Sequence, residues 1–582
     1  MSDVEYGEVR ITVHRGHDDL LSAGLGLAGL AGIPLLFSNP LHPAAEELRR
    51  RAIQSSWKGI ADLGPLGGYG RVYGNVPDVP GREYQAFASI PGSQAPHRVL
   101  LQLPDHFDRR KRCLVVTASS GSRGVYGAIA LAGAWGLPRG CAVAYTDKGA
   151  GAGYFDYADD SGVALDGRRA KRGEVALEFE PPSAAPTVGI AVKHVHSGDN
   201  PEADWGRHVI QAAQFGLAML DRAFPDDAPF TPENTKIIAA GLSNGGGGVL
   251  QAAGLDGANF FAGVVALEPN VHTAGHGRAL YDYATEAAIW LPCALNSKRF
   301  VSAPFARMPD GAPLPAWVLR CASLRARGQL GGHTMAGQSE QAYQYLRARG
   351  WTDEAMATAA SSTAFDLWRT ITAGYASSYL RRGIADMPCG FHYAAVGMGG
   401  LPSVTDPLTR AAWWADGSGI PPGNGIGLFG GMDVSADPAL KGSECLRALW
   451  IGDDHEAQAL QASIAATAVK LPRIDLPLWV VHGASDGLLP TAFSSEPYVA
   501  WLRNEGRQPL YWKAPHAQHF DAFLALPGFG ERHVPLLPYG YAALDRLWAH
   551  LYEGATWPGE VSTPAARPRG TGVLEHGMLG LT

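Results

Sequence analysis

Short apolar runs alternate with amphipathic stretches along two separated parts of the chain. From Asp204, apolar residues recur at the spacing of a helix face, and a second amphipathic helix is predicted over 541–555. The runs predicted to be strands are 99–104, 113–118, 141–147, 237–240, 261–270, 476–483 and 508–514. Strands that alternate with helices and are apolar throughout indicate a mostly parallel sheet covered by helices on both faces, the α/β class.

The same pattern predicts how the chain is divided. The α/β core is expected at 95–275 and 465–556, because the alternation stops and then resumes. Between these parts, 276–464 contains polar helical stretches and a run rich in Gly, Pro and Trp, which indicates a mainly helical lid or an independent oligomerisation domain. Residues 1–94 are predicted to form a decorating segment, and 557–582 a loosely ordered tail.

Composition and charge argue against nucleic-acid binding and against a membrane protein. The chain has 582 residues, 18% of them charged, and a net charge of −7 without a block of Lys and Arg, which argues against nucleic-acid binding. The apolar stretch 20–37 is interrupted by glycines and is predicted to be a buried loop and helix, so no membrane span is expected. The first residues lack a signal-peptide pattern, which predicts a cytoplasmic location for the sequence as given, or a secreted or periplasmic one if a leader was trimmed.

The six cysteines do not suggest a metal site. No pair has the CxxC spacing of a zinc site, and six cysteines are few for a disulfide scaffold of this length. Cys113 and Cys141 lie in apolar runs and are predicted to be buried and unpaired. A disulfide among the other four cysteines stays open.

The strongest chemical signal is the sequence from Gly241 to Gly245, which matches G-x-S-x-G. An apolar strand leads into it and a helix-compatible segment follows, which is the strand–turn–helix setting of a nucleophile elbow. Ser243 is therefore the predicted nucleophile, at a helix N-terminus that favours an anion. The competing interpretation is a Gly-rich turn with an incidental serine.

A serine nucleophile needs a base and an orienting acid, which in this arrangement follow it along the chain. Asp486 lies just beyond the strand 476–483, at the carboxyl end where such sites form, whereas Asp475 precedes that strand. His519 is the preferred base, and His516 is the alternative. His482 begins the acid loop and is predicted to be structural.

The oxyanion of an acyl-transfer reaction needs two backbone donors. The N–H of Asn244 is one predicted donor, and the loop after 113–118 supplies the other from Ser120 or Gly121. Arg123 in the same loop is a candidate for binding a substrate carboxylate, with a plain surface charge as the alternative. This chemistry needs no cofactor, and the H-x-H at 194–196 lacks a third metal ligand nearby.

Several longer stretches resemble the D-(−)-3-hydroxybutyrate oligomer hydrolases, enzymes of bacterial polyhydroxybutyrate breakdown. The stretches span residues 17 to 525 and read HDDLLSAGLGLAGL, ASSGSRGVYGAI, YTDKGAGAG, KHVHSGDNPEADWG, AAGLSNGGGGVLQAAG and AQHFDAF. The resemblance implies an α/β-hydrolase esterase that cleaves short linear esters of 3-hydroxybutyrate to the monomer. It also implies Ser243 as the nucleophile. Some relatives carry a secretory leader, which leaves the compartment open.

Two other functions fit the same residues. One is an esterase for another carboxylic acid, such as a feruloyl or tannase-like aromatic ester. The other is a catalytically silent binding protein with the hydrolase fold, although an intact Ser, Asp and His set argues against it. The expected partner is a small-molecule ester, and the sequence leaves a homo-oligomer open.

Overall fold

The computed structural model describes residues 5–182, 189–417 and 423–581. In these ranges the chain forms sixteen strands: β1 (Arg10–His14), β2 (Gly81–Ala88), β3 (His97–Pro104), β4 (Cys113–Ala118), β5 (Ala142–Thr146), β6 (Tyr154–Asp156), β7 (Ser161–Val163), β8 (Arg169–Lys171), β9 (Ile190–Val192), β10 (Lys236–Leu242), β11 (Gly263–Leu267), β12 (Phe391–Val396), β13 (Pro402–Ser403), β14 (Ile426–Gly430), β15 (Leu478–Gly483) and β16 (Leu510–Ala514).

The α-helices of the same described ranges are α1 (Gly26–Ala31), α2 (Ala45–Ile60), α3 (Ala134–Gly136), α4 (Lys193–His196), α5 (Trp205–Ala223), α6 (Asn244–Leu255), α7 (Leu280–Ala294), α8 (Pro315–Ala326), α9 (Met335–Arg347), α10 (Asp353–Ala364), α11 (Leu367–Tyr379), α12 (Pro407–Ala412), α13 (Pro438–Ile451), α14 (His455–Ala465), α15 (Ser495–Asn504) and α16 (Leu537–Tyr552).

A central sheet carries the site. Its strand order is β1-β2-β3-β5-β4-β10-β11-β15-β16. The strands from β5 to β16 in this order are parallel, and β1, β2 and β3 add antiparallel pairings at one edge. The predicted α/β class with a mostly parallel sheet is confirmed.

Helices cover both faces of this sheet, which explains why its inner strands are apolar throughout. Residues of α5 and α6 pack with β4 and β10 in one core cluster, and residues of α2 and α16 pack against the opposite face. Every residue of β4, β5, β11 and β15 is buried. The predicted strands are all present, although the strand predicted at 261–270 is shorter, and α16 begins four residues before its predicted start at 541.

The segments around this core add a second apolar cluster and further strands of the central sheet. The stretch between the two core parts contains α7 to α14 and a small sheet with the order β13-β12-β14, and much of it shares a separate apolar core. Before residue 94, by contrast, β1 and β2 are integral strands of the central sheet, since β2 pairs with β3 along its whole length. The boundaries of the domains stay a prediction.

All six cysteines lie in the described part of the chain and form three disulfides. The pairs are Cys113–Cys141, Cys293–Cys321 and Cys389–Cys445. The prediction that Cys113 and Cys141 are unpaired is wrong. They are neighbours because Leu114 lies opposite Ala142 in the parallel pair β4–β5, which places the two preceding residues side by side.

The apolar segment 20–37 is only partly buried. Leu20, Leu21 and Leu30 are in the core, whereas Ile33 and Leu36 are each 91% exposed, so the prediction of a wholly buried segment is wrong at its end. The sequence could not reveal this because both ends of the segment are equally apolar. Among the described residues, no helix has both the length and the apolarity needed to cross a membrane.

Candidate active site

Ser243 occupies the sharp turn between β10 and α6. Its backbone has φ 56° and ψ −124°, a conformation that non-glycine residues rarely adopt and that is typical of a strained nucleophile turn. Close packing holds the turn, since a Cβ atom on Gly245 would lie 2.2 Å from the carbonyl oxygen of Ala118. The Ser243 N–H donates to the carbonyl of Leu267 at 3.0 Å. The hydroxyl is thereby presented at the carboxyl end of the sheet.

His519 and Asp486 complete a continuous chain of hydrogen bonds with Ser243. The Ser243 Oγ lies 3.0 Å from His519 Nε2, and His519 Nδ1 lies 2.7 Å from Asp486 Oδ2. The three side chains come from loops after β10, β16 and β15, whose carboxyl ends lie at one edge of the sheet. All three residues are buried. This is the geometry that converts a serine into a nucleophile.

Asp486 is held as an ionised acceptor by four donors. The backbone N–H groups of Leu488 and Leu489 each donate to Oδ1 at 2.8 Å, and His482 Nε2 lies 3.1 Å from Oδ2, the oxygen that His519 also contacts. Burial opposes ionisation, but the two imidazoles outweigh it and hold the pKa of Asp486 well below its ordinary range. A fixed carboxylate of this kind sets the tautomer of His519.

The competing sequence candidates lie elsewhere. His516 is exposed with φ 60°, and its carbonyl oxygen is 3.1 Å from His533 Nδ1. Asp475 forms an ion pair with Arg473 at 2.8 Å before β15, away from the carboxyl ends. The structure therefore brings together Ser243, Asp486 and His519 from the predicted set.

The predicted oxyanion donors surround the same cavity as Ser243. Ser120, Gly121 and Asn244 all line it. Within the described residues, none of their backbone N–H groups donates a hydrogen bond to another group. The Asn244 side chain is fixed, because its Nδ2 donates to the Tyr375 hydroxyl and its Oδ1 accepts from Asn270 Nδ2, each at 2.7 Å. The assignment of the donors stays a prediction.

Arg123 is buried rather than a surface charge. Its Nη1 donates to the Gly417 carbonyl at 2.8 Å and its guanidinium also reaches the carbonyls of Ser55 and Gly59. Burial lowers the pKa of Arg123 to about 10. Its Nε is sealed from solvent without a described partner. The side chain thus links α2 to the segment before residue 418 by hydrogen bonds. It also lines the cavity.

One face of α11 forms the wall of the cavity opposite these loops. The lining residues recur at helical spacing and are Leu367, Thr370, Ile371, Gly374 and Tyr375. The cavity is mainly apolar with a few convergent polar groups, as small-molecule sites usually are.

Sequence reasoning missed three residues at this site. The sequence pattern predicts a structural role for His482, presents His194 only as part of an H-x-H without a third metal ligand, and gives no signal for Tyr375. His194 and Tyr375 reach the site from distant parts of the chain, and His482 has no motif of its own although it lies four residues before Asp486.

The fold and the arrangement around Ser243 define the class of this protein, which is an α/β-hydrolase.

Comparison with known proteins makes the assignment more specific. The chain belongs to the 3HB-oligomer hydrolase (3HBOH) family, whose sequence profile matches residues 3–573. It is 36% identical to the D-(−)-3-hydroxybutyrate oligomer hydrolase of Paracidovorax citrulli over 93% of this chain and 86% of that protein. It is 35% identical to the protein of the same name from Cupriavidus metallidurans over 95% of this chain and 85% of that protein. The predicted family is confirmed, and the protein is an ester hydrolase.

Solved structures give more distant likenesses. The esterase LipA from Xanthomonas oryzae in a ligand-bound form covers 81% of this chain and 91% of its own, with 11% identity and a TM-score of 0.39. Feruloyl esterase B from Aspergillus oryzae covers 96% of this chain and 88% of its own, with 10% identity and a TM-score of 0.33.

Proposed function

We propose that this protein hydrolyses short linear oligomers of D-3-hydroxybutyrate to the monomer through an acyl-enzyme on Ser243. The observation that carries the proposal is the unbroken hydrogen-bond chain from Ser243 through His519 to Asp486. The names of the relatives supply the substrate class, and they match this chain over more than nine-tenths of its length.

The proposed reaction uses these groups in two steps. Ser243 Oγ attacks the ester carbonyl carbon as its proton passes to His519 Nε2, and the N–H groups of Asn244 and of Ser120 or Gly121 bind the oxyanion. His519 then gives that proton to the leaving 3-hydroxyl oxygen, and the C–O bond breaks. Water repeats the attack on the acyl-serine ester with His519 as base, which releases 3-hydroxybutyrate and restores Ser243.

Arg123 is the proposed partner of the substrate's free carboxylate. Its guanidinium has no carboxylate partner in the part of the chain that the structure describes. Buried cations are normally paired, so an anion from the substrate would complete the site. We expect Arg123→Met to weaken cleavage of the dimer while cleavage of the dimer's methyl ester changes little. An equal loss of activity on the dimer and on its methyl ester would mean that Arg123 has a structural role and does not bind the carboxylate.

The three disulfides support a location in an oxidising compartment. Pairing of all six cysteines is typical of secreted or periplasmic proteins, whereas cytosolic thiols are kept reduced. We propose that the protein works outside the cytoplasm. Alkylation of the protein isolated from its native cells, followed by mass measurement, tests this. Six alkylated cysteines without prior reduction would contradict it.

The experiment for the function itself is a product assay on matched substrates. Wild-type protein is incubated with the linear dimer and trimer of D-3-hydroxybutyrate and, separately, with a feruloyl ester, and Ser243→Ala serves as the control. We expect monomer release from both oligomers by the wild type only. Cleavage of the feruloyl ester without monomer release would overturn the substrate class and keep the nucleophile.

A further inference from the structure

A second buried imidazole–carboxylate pair lies beside the cavity. His194 Nε2 is 2.7 Å from Glu202 Oε1, and the same oxygen accepts a hydrogen bond from Lys148 Nζ. His194 lines the cavity together with Ser243. Its ring packs edge-on against Tyr375 with 5.1 Å between ring centroids, and Tyr375 in turn holds the Asn244 side chain. This pair is therefore joined to the site but takes no part in the reaction described above.

The charges of the pair fix which atom of His194 carries the proton. Burial opposes ionisation of Glu202, but Lys148 and His194 outweigh it and lower the pKa of Glu202 to about 2. Burial lowers the pKa of His194 below its ordinary value, against the opposing hydrogen bond to Glu202. His194 is thus neutral at pH 7 and donates from Nε2, which leaves an acceptor lone pair on Nδ1.

That Nδ1 atom is available from the cavity. No described residue forms a hydrogen bond with it, and unlike Nδ1 of His482 it is not sealed from solvent. Two hydroxyls of the cavity each make a hydrogen bond within the protein, since the Thr370 hydroxyl donates to the Asp366 carbonyl at 3.1 Å and the Tyr375 hydroxyl accepts from Asn244. His194 therefore offers an acceptor to whatever the cavity binds.

We propose that His194 Nδ1 accepts a hydrogen bond from the free 3-hydroxyl group of the substrate's acyl unit and so determines specificity for hydroxyacyl esters. The inference rests on the proposed function. At neutral pH an oligomer of 3-hydroxybutyrate carries ester oxygens, one carboxylate and a single hydrogen-bond donor, its terminal hydroxyl. An acceptor in the cavity can recognise only that end. Cleavage then removes one unit at a time from the hydroxyl end.

The test compares two substrates that differ by one hydroxyl group. They are the dimer and 3-(butyryloxy)butyrate, in which the acyl unit lacks the 3-hydroxyl, and the measured quantity is the ratio of their kcat/KM values. A site built to bind a hydroxyl strongly disfavours the analogue that lacks it. We expect a wild-type ratio above tenfold, on the order of the loss of one buried hydrogen bond.

Two variants of His194 separate recognition from structural support. In His194→Asn the side-chain oxygen takes the place of Nδ1, whereas His194→Gln reaches only the place of Nε2 and its bond to Glu202. We expect His194→Asn to keep most of the kcat/KM ratio between the two substrates. We expect His194→Gln to lower that ratio to near one. Any other pattern overturns the inference, and the reverse pattern would assign His194 a structural role. Thermal melting of both variants shows whether each is folded.

Thr370→Val is the matched control from the same cavity, because it removes a hydroxyl that is already engaged by the backbone. We expect it to leave the ratio unchanged, and an equal fall in this control overturns the inference. If wild-type protein releases monomer from the dimer but its kcat/KM for the dimer exceeds that for 3-(butyryloxy)butyrate by less than threefold, the inference fails and the proposed function stands. If wild type releases no monomer, the proposed function itself fails.

Discussion

Two buried imidazoles lie at the active site, since His194 lines the cavity and His519 contacts the cavity residue Ser243, and each is held by a carboxylate oxygen that accepts two hydrogen bonds. Asp486 Oδ2 accepts from His519 and His482, and Glu202 Oε1 accepts from His194 and Lys148. The pairs differ in what lies next to the imidazole nitrogen that does not contact the carboxylate. His519 Nε2 lies 3.0 Å from the Ser243 hydroxyl, whereas His194 Nδ1 forms no hydrogen bond with a described residue.

The difference shows that an imidazole–carboxylate pair does not by itself mark a catalytic base. A base that activates a serine must lie within hydrogen-bond reach of its hydroxyl, as His519 Nε2 does. The second carboxylate is also neutralised by a buried ammonium, so the pair around Glu202 carries no net negative charge toward the cavity when Lys148 is protonated. The first pair is arranged for proton transfer, and the second fits recognition.

The largest expected effect on catalysis comes from Asp486→Asn. An amide cannot hold His519 in the tautomer that accepts the serine proton, so we expect kcat to fall by about 10⁴-fold. The measurement is the steady-state rate on the dimer, with thermal melting as the check on folding. A loss of less than tenfold in folded protein would show that His519 does not depend on this carboxylate.

His482→Phe should have an intermediate effect. It removes one of the four donors to Asp486 and leaves the bond to His519, so we expect kcat/KM to fall by about tenfold, the cost of one hydrogen bond to a charged group. His516→Phe is the control, because His516 is an exposed loop residue. A loss at His516 as large as that at His482 would contradict the placement of both histidines.

Much of this site could be predicted from the sequence, and the rest could not. Ser243, Asp486 and His519 each follow a predicted strand, and the carboxyl ends of parallel strands meet at one edge. His194 on α4 and Tyr375 on α11 have no such signal, because these helices reach the cavity by packing between distant parts of the chain. The pairing of Cys113 with Cys141 could not be predicted for a similar reason, since it depends on which strands are neighbours and not on cysteine spacing.

Glu202→Gln should have the smallest effect on the chemical step. We expect the rate on p-nitrophenyl acetate, which has no hydroxyacyl group, to stay near that of the wild type. The free energy of unfolding should nevertheless fall by about 3 to 5 kcal/mol, because the buried Lys148 loses its counter-charge. Denaturant unfolding gives the stability and the ester assay gives the rate. A rate loss as large as that of Asp486→Asn would make Glu202 part of the catalytic machinery.

The same variant also tests the charge of Glu202 through the pH dependence of stability. The pKa of Glu202 is about 2 in the folded protein, below its ordinary value of 4.5, so its ionisation adds stability above pH 4.5. That contribution declines as the pH falls from 4.5 toward 2. We expect the wild type to lose more stability than Glu202→Gln over this range. Parallel stability curves would mean that Glu202 is not held ionised by Lys148 and His194.

The most direct test of the central claim is to identify the residue that carries the acyl group. Wild-type protein and Ser243→Ala are mixed with the D-3-hydroxybutyrate dimer, quenched in acid within the first turnover and analysed by peptide mass spectrometry. We predict a 3-hydroxybutyryl group on the peptide containing Ser243 in the wild type and none in the variant. The same acyl group on another residue, with Ser243→Ala still releasing monomer at the wild-type rate, would contradict the account.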